Sequence, residues 1–170
     1  MKKNKQKIEI RPPKISDLNS LLSMINSLVE ERAMITVQSR VNIKEEREYL
    51  KKIVKDKNAI YLFLIINGEV MGSARIAKKE NVKNHVGELG ISIRKEARGL
   101  GLGKKLFKKV LEDGTKKFKL KIVTLDVFGN NKIAQNLYKK MGFKKIGTIK
   151  NGAKYYEKYE NDILMAKYLN

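Results

Sequence analysis

The 170-residue chain is 42% apolar and 33% charged, with 12 Gly and 2 Pro, which excludes collagen-like and low-complexity classes. Lys+Arg number 38 against 18 Asp+Glu, a net charge of +20 that suits an anionic partner; the excess is Lys rather than Arg, so nucleic acid is not expected as the main partner. Zero Cys and a single His exclude disulfide scaffolds, cysteine nucleophiles and multi-His metal sets, and no apolar run approaches the ~20 residues of a membrane helix, so a cytoplasmic protein with neither metal nor membrane partner is expected.

Met1–Gln6 reads as a flexible basic tail and Ile8–Arg11 as a short strand closed by Pro12-Pro13. Ser16-Asp17 is a candidate N-cap for a helix whose apolar positions are Leu18, Leu21, Leu22, Ile25, Leu28 and Val29. Glu30–Ile43 is ambiguous, part loop and part helix, and Lys44–Lys55 is a charged helix. Ile60–Ile66 and Glu69–Ala77 form a hairpin, because Asn67-Gly68 supplies the two positive-φ residues of a tight turn. A polar connection at Asn81–Asn84 leads to a strand at Val86–Ile93, then a glycine loop and a helix from about Gly101 to Lys117. Ile122–Phe128 is a buried strand, Asn131–Met141 a helix stopped by Gly142, and Phe143–Lys150 and Asp162–Tyr168 are closing strands. The order β-α-α-β-β-β-α-β-α-β-β is mixed α/β in a single domain over 1–170, with an antiparallel meander and one right-handed parallel crossover from Val86 to Phe128.

The segment Arg98-Gly99-Leu100-Gly101-Leu102-Gly103-Lys104 joins a strand to an amphipathic helix. Alternate glycines free φ and let backbone N–H groups converge on an anion, the helix N-terminus adds its dipole, and Arg98 and Lys104 add charge. Neither the Walker spacing nor the dinucleotide-binding glycine pattern is present, so this is a phosphate cradle of another kind.

With these motifs the chain resembles the GNAT superfamily of acyl-CoA-dependent N-acyltransferases. Arg98 to Gly103 match that family's pyrophosphate loop, Arg/Gln-x-x-Gly-x-Gly/Ala. Asn131 through Leu137-Tyr138 to Gly142-Phe143 match its second signature at the right spacing, and Asp162-Ile163-Leu164-Met165 is a softer match. The resemblance covers about Ile8 to Leu169 and implies the family fold, a mixed and mostly antiparallel sheet flanked by helices. It implies acetyl-CoA as cosubstrate, held by the backbone of Ile91, Ser92 and Ile93 at the end of a bulged, splayed strand. The residues from Arg98 to Lys104, Gly99, Leu100, Gly101, Leu102 and Gly103 among them, then meet the pyrophosphate, and Asn131 meets the pantetheine arm. Tyr138 matches the general acid that protonates the leaving thiolate.

The chemistry needs these parts. A primary amine near pKa ~10.4 must lose a proton before it attacks, an oxyanion needs N–H donors, and a thiolate needs a proton. Two carboxylates compete as base: Glu88, which is preferred, and Asp126, one methylene shorter than the Glu of the ribosomal-protein alanine N-acetyltransferase branch. Tyr155, Tyr156 and Tyr159 either line the acceptor site or cover a strand edge, and His85 reads as a surface residue. The reading is an N-acetyltransferase working by direct attack in a ternary complex, on a protein or peptide amine or a small amine. The alternative is a non-catalytic acyl-CoA-binding module or a basic nucleic-acid-associated protein on the same fold. The net charge favours acidic or neutral acceptors over polycations, and a homodimer is the working expectation for assembly.

Overall fold

The structure is a computed structural model that describes residues 6–169; the tail expected at Met1–Gln6 lies, apart from Gln6, outside them. The elements follow the expected order: β1 (Ile8–Arg11), α1 (Leu18–Glu30), α2 (Ile43–Lys55), β2 (Ala59–Ile66), β3 (Glu69–Lys78), β4 (Val86–Ile93), α3 (Leu102–Phe118), β5 (Ile122–Phe128), α4 (Lys132–Lys140), β6 (Lys144–Tyr155) and β7 (Lys158–Tyr168). They build one 7-stranded sheet in the order β1-β2-β3-β4-β5-β7-β6. Every neighbouring pair is antiparallel except β4 and β5.

Helices cover both faces, which explains why β2 is apolar throughout rather than alternating. Phe63 and Ile65 turn to one core with Leu21, Met24 and Leu28 of α1 and Leu50 and Ile53 of α2. Leu62 and Leu64 turn to the larger core with Leu106, Phe107 and Val110 of α3. Close contact seats α3 on the sheet: a Cβ at Gly114 would fall 2.2 Å from the Ile76 side chain. The β2–β3 turn is as expected, with Asn67 at φ 52° and Gly68 at φ 90°.

Four expectations need correction. Asp17 precedes α1 but makes no capping bond to it. Its carboxylate instead accepts from Arg11 at 2.7 and 2.8 Å and from the Lys14 amide at 2.7 Å, closing a short 3₁₀ turn. The ambiguous stretch after Glu30 is irregular up to Asn42, which caps α2 by accepting from the Lys44 and Glu45 amides, so that helix starts at Ile43. The closing strands run on to Tyr155 and restart at Lys158. Asn151, just past the expected end at Lys150, sits within a register shift at φ 53°. The fourth concerns β4, which keeps unbroken register with β3 from Gly72↔Ile93 to Lys78↔Gly87, so no bulge marks Gly90.

The splay is present. β4 and β5 pair only at Val86↔Ile122, Gly87↔Val123 and Glu88↔Thr124. Beyond those rungs β4 stays with β3 while β5 stays with β7, and the two strands part.

Candidate active site

The parted strands form the floor of a groove of about 1400 Å³. Ile91, Ser92 and Ile93 line it from β4, Arg98, Gly99, Gly101, Gly103 and Lys104 from the following loop, and Asn131 and Tyr138 from α4 and its cap. Glu88 and Asp126 line it as well. Two of the sequence-derived residues stand apart: Leu100 points outward at 59% exposure, and Leu102 is buried in the core under the loop.

The loop's shape requires glycine for φ and not for space. Gly99 and Gly101 take φ +75° and +72°, and a Cβ at either would meet nothing within 4 Å. Gly101 is the N-cap of α3 in the left-handed region, and the Lys105 amide makes the first helical bond back to it at 3.2 Å. The amides of Leu102, Gly103 and Lys104 therefore precede the helical ladder and are free for an anion, at the positive end of a 17-residue helix.

Arg98 is already held as an anion receptor. Its Nε donates to the Ile93 carbonyl at 2.9 Å, and its two terminal nitrogens meet the Glu31 carboxylate, one at 3.3 Å and the other closer. Glu31 follows directly on α1, so this pair ties the start of the irregular 31–42 segment to the glycine loop. A free strand edge, a row of available amides and a guanidinium fork engaged by carboxylate oxygens fit a pantetheine arm ending in a pyrophosphate.

Tyr138 is buried, with its ring centroid 5.3 Å from Phe107 and 6.4 Å from Phe143. Burial pushes its hydroxyl up to about 12. Asn131 is already at work in the fold, since its side-chain oxygen caps α4 by accepting from the Ala134 amide at 3.1 Å.

The two carboxylates differ in their company. Glu88 is tied to Arg75 at 2.9 Å and to Lys79 at 3.8 Å. Asp126 forms no ion pair among the described residues. Burial first, then Asp162 and Glu88, push its carboxyl up, while Lys79 opposes them. Asp162 lies diagonally across the β5–β7 ladder, opposite Phe128 as Asp126 is opposite Leu164, so both acids share a face.

Sequence reasoning missed Asp162 as a site residue, along with Arg75 and Glu31. One signal existed: Ser73 and Arg75 place polar groups on a single face of an otherwise apolar strand. Tyr155 and Tyr156 pack at the end of α1. They donate to the carbonyls of Arg32 and Val29, pinning the β6–β7 hairpin onto the end of α1, and neither lines the groove. Tyr159 and His85 are exposed.

Fold and groove together define an acyl-CoA-dependent acyltransferase. The chain belongs to the acetyltransferase (GNAT) family, whose model matches residues 24–143 and whose members use acetyl-CoA. An acetyltransferase of the GNAT family from Streptococcus pneumoniae is 27% identical, covering 96% of this chain and 100% of its own, with a TM-score of 0.85. At 24% identity, a ribosomal-protein-alanine N-acetyltransferase from Brucella melitensis shares the fold over 95% of this chain and 99% of its own, with a TM-score of 0.84. The Salmonella typhimurium protein yncA, whose structure holds its cofactor acetyl-CoA, shares the fold at 17% identity over 96% of this chain and 95% of its own, TM-score 0.82. No curated protein matches the chain. Among the described residues no helix is long and apolar enough to cross a membrane.

Proposed function

We propose that residues 1–170 act as one N-acetyltransferase domain that moves the acetyl group of acetyl-CoA to a primary amine by direct attack in a ternary complex. The observation that carries this reading is the parting of β4 from β5 above Glu88 and Thr124, with the glycine loop, Tyr138 and Asp126 all lining the space it opens. Acetyl-CoA, when bound, supplies an acetyl group activated as a thioester.

The chain's own residues bind, orient and move protons. The amides of Leu102, Gly103 and Lys104, with Arg98, would hold the pyrophosphate; the backbone of Ile91, Ser92 and Ile93 would line the pantetheine arm. Asp126 takes the role of base from Glu88 in this proposal. A base works best with a pKa drawn toward the working pH, and the Asp126 carboxyl is raised while the Glu88 carboxylate is engaged by two cations. Tyr138 stays protonated at neutral pH and donates to the departing sulfur. Its value of about 12 stands above an ordinary thiol's ~8.5, so complete transfer is uphill by about 5 kcal/mol. Tyr138 therefore acts as a hydrogen-bond donor, and solvent completes the protonation.

The test is release of free thiol from acetyl-CoA with a panel of amines, without protein background because the chain has no Cys. Turnover with a primary amine supports the proposal. Acetyl-CoA binding without turnover on N-terminal peptides, lysine peptides and small amines would refute it. Cytoplasmic location and a homodimer belong to the same proposal and are read by fractionation and light scattering.

A further inference from the structure

The groove's charge is opposite in sign to the body's. Six carboxylates and four cations line it, in a chain whose net charge is +20. Two of the cations, Arg98 and Lys104, belong to the glycine loop, Arg75 is tied to Glu88 at 2.9 Å, and Arg32 lies over the Tyr156 ring at 5.1 Å. Asp126, Asp162 and Glu46 are left without ion pairs among the described residues.

Glu46 is the outstanding member. It sits on the first turns of α2, lines the groove, and is 4% exposed. Its Oε1 is buried with no hydrogen-bond partner among the described residues. Burial alone pushes its carboxyl up; no neighbouring cation offsets that. A buried, unpaired carboxylate oxygen weakens a fold, and an apolar side chain there would not. Tyr49, one helical turn on, is pushed up by burial, then by Tyr61 and Glu46, with Arg75 opposing, which puts these groups in one electrostatic neighbourhood. Both tyrosines also line the groove, and their rings suit a cation. Leu28 and Met34 offer apolar wall for a methylene stem.

We propose that the acceptor carries a second cationic nitrogen, received by Glu46, beyond the primary amine that reacts beside Asp126 and Asp162. The substrate class is a diamine or another diamino compound. This rests on the acetyl-transfer reading, and it departs from the acidic or neutral acceptor that the net charge suggested.

The experiment uses the full chain, acetyl-CoA and a series of α,ω-diamines of increasing length, each matched by the n-alkylamine and the ω-amino acid of equal length. The expected result is a preference for one diamine length over its alkylamine of roughly 10- to 100-fold in kcat/KM, as a hydrogen bond to a charged group supplies. Glu46→Gln should abolish that preference and leave the KM for acetyl-CoA and the alkylamine rate unchanged. A preference that survives Glu46→Gln, or no preference in the wild-type chain, overturns the proposal. Calorimetric titration of the diamine into the CoA-bound protein separates this failure from failure of acetyl transfer. Binding to wild type and not to Glu46→Gln upholds the Glu46 site even without thiol release. Turnover of other amines with no diamine binding removes the site and leaves the enzyme. Should Glu46→Gln melt below wild type, Glu46→Asp decides. Drawing the charge back by one methylene must move the optimum to a longer diamine, and an unmoved optimum counts against the proposal.

Discussion

The Arg98–Glu31 pair makes the sharpest claim about the cradle. A guanidinium that holds a carboxylate must release it to meet a phosphate, so Glu31 competes with the cofactor for Arg98. The Arg98 side chain is 45% exposed and that of Glu31 21%, so the pair itself contributes no more than about 1 kcal/mol. Glu31→Gln should therefore tighten CoA by up to about 5-fold and cost the fold under about 1 kcal/mol. Arg98→Ala removes charge-assisted bonds to phosphate of ~1.5–3 kcal/mol each, a loss of about 10- to 100-fold in affinity, while its folding cost is limited to the exposed pair and the bond to the Ile93 carbonyl. Combined, the two substitutions must not add: the gain from Glu31→Gln shrinks in the Arg98→Ala background, where only screened repulsion between Glu31 and phosphate is left. Calorimetry with CoA and thermal melts of all four proteins read both quantities. Weaker CoA binding by Glu31→Gln, or losses of equal size in binding and folding for Arg98→Ala, would refute the competition.

Tyr138→Phe keeps the ring that packs on Phe107, so the melting temperature and CoA affinity should hold while kcat falls by about 10- to 100-fold, as loss of a hydrogen bond to a charged sulfur gives; a kcat within a few-fold of wild type would remove the tyrosine from the chemistry. Asp126 has a carboxyl raised in the fold, so its contribution to stability is fully present below the unfolded value and is lost as pH rises through the folded one. Asp126→Asn should accordingly melt higher than wild type at neutral pH, an advantage that fades in acid, and should abolish the acid limb of kcat/KM; if Glu88→Gln abolishes that limb instead, the base is Glu88. Gly101→Ala has room for its methyl group but must hold φ near 72°, which costs about 1–2 kcal/mol, and either the strain or a shifted amide should weaken CoA several-fold in the same calorimetric assay.

The sequence carried the element order because each element has its own local signal. Asn67-Gly68 fixed a turn and the apolar period of Leu21 and Leu28 fixed a helix face. Two signatures at the correct spacing placed the glycine loop before α3 and Tyr138 under Phe143. Signals that depend on distant partners were out of reach. Asp17 looks like a helix cap until Arg11 arrives to take its carboxylate. The β6–β7 turn falls at Tyr156-Glu157, with Tyr156 at φ 51°, where Tyr155 and Tyr156 bond to the distant carbonyls of Arg32 and Val29, and no turn-forming residue marks the place. Glu88 and Asp126 look alike in sequence; cross-strand neighbours, Arg75 for one and Asp162 for the other, give them different electrostatics.

Net charge and the groove's own charge point to different acceptors, and the proposed acceptor follows the groove. Net charge sums over the whole surface, where Lys108 and Lys109 pair with Glu112 and Asp113 along the outer face of α3 and face water. Such charges act across solvent and fade over about 8 Å at physiological salt, so they bias encounter. Recognition at contact belongs to the few groups that line the groove, where Asp126, Asp162 and Glu46 are without ion pairs among the described residues and Arg32 lies over the Tyr156 ring. A basic body draws in an anionic cofactor at the glycine loop. On the proposal made above, the acidic groove beyond it would receive a cationic acceptor beside the acetyl donor. On that proposal the two substrates share one groove, and Glu31, which lines it, also meets Arg98 of the glycine loop.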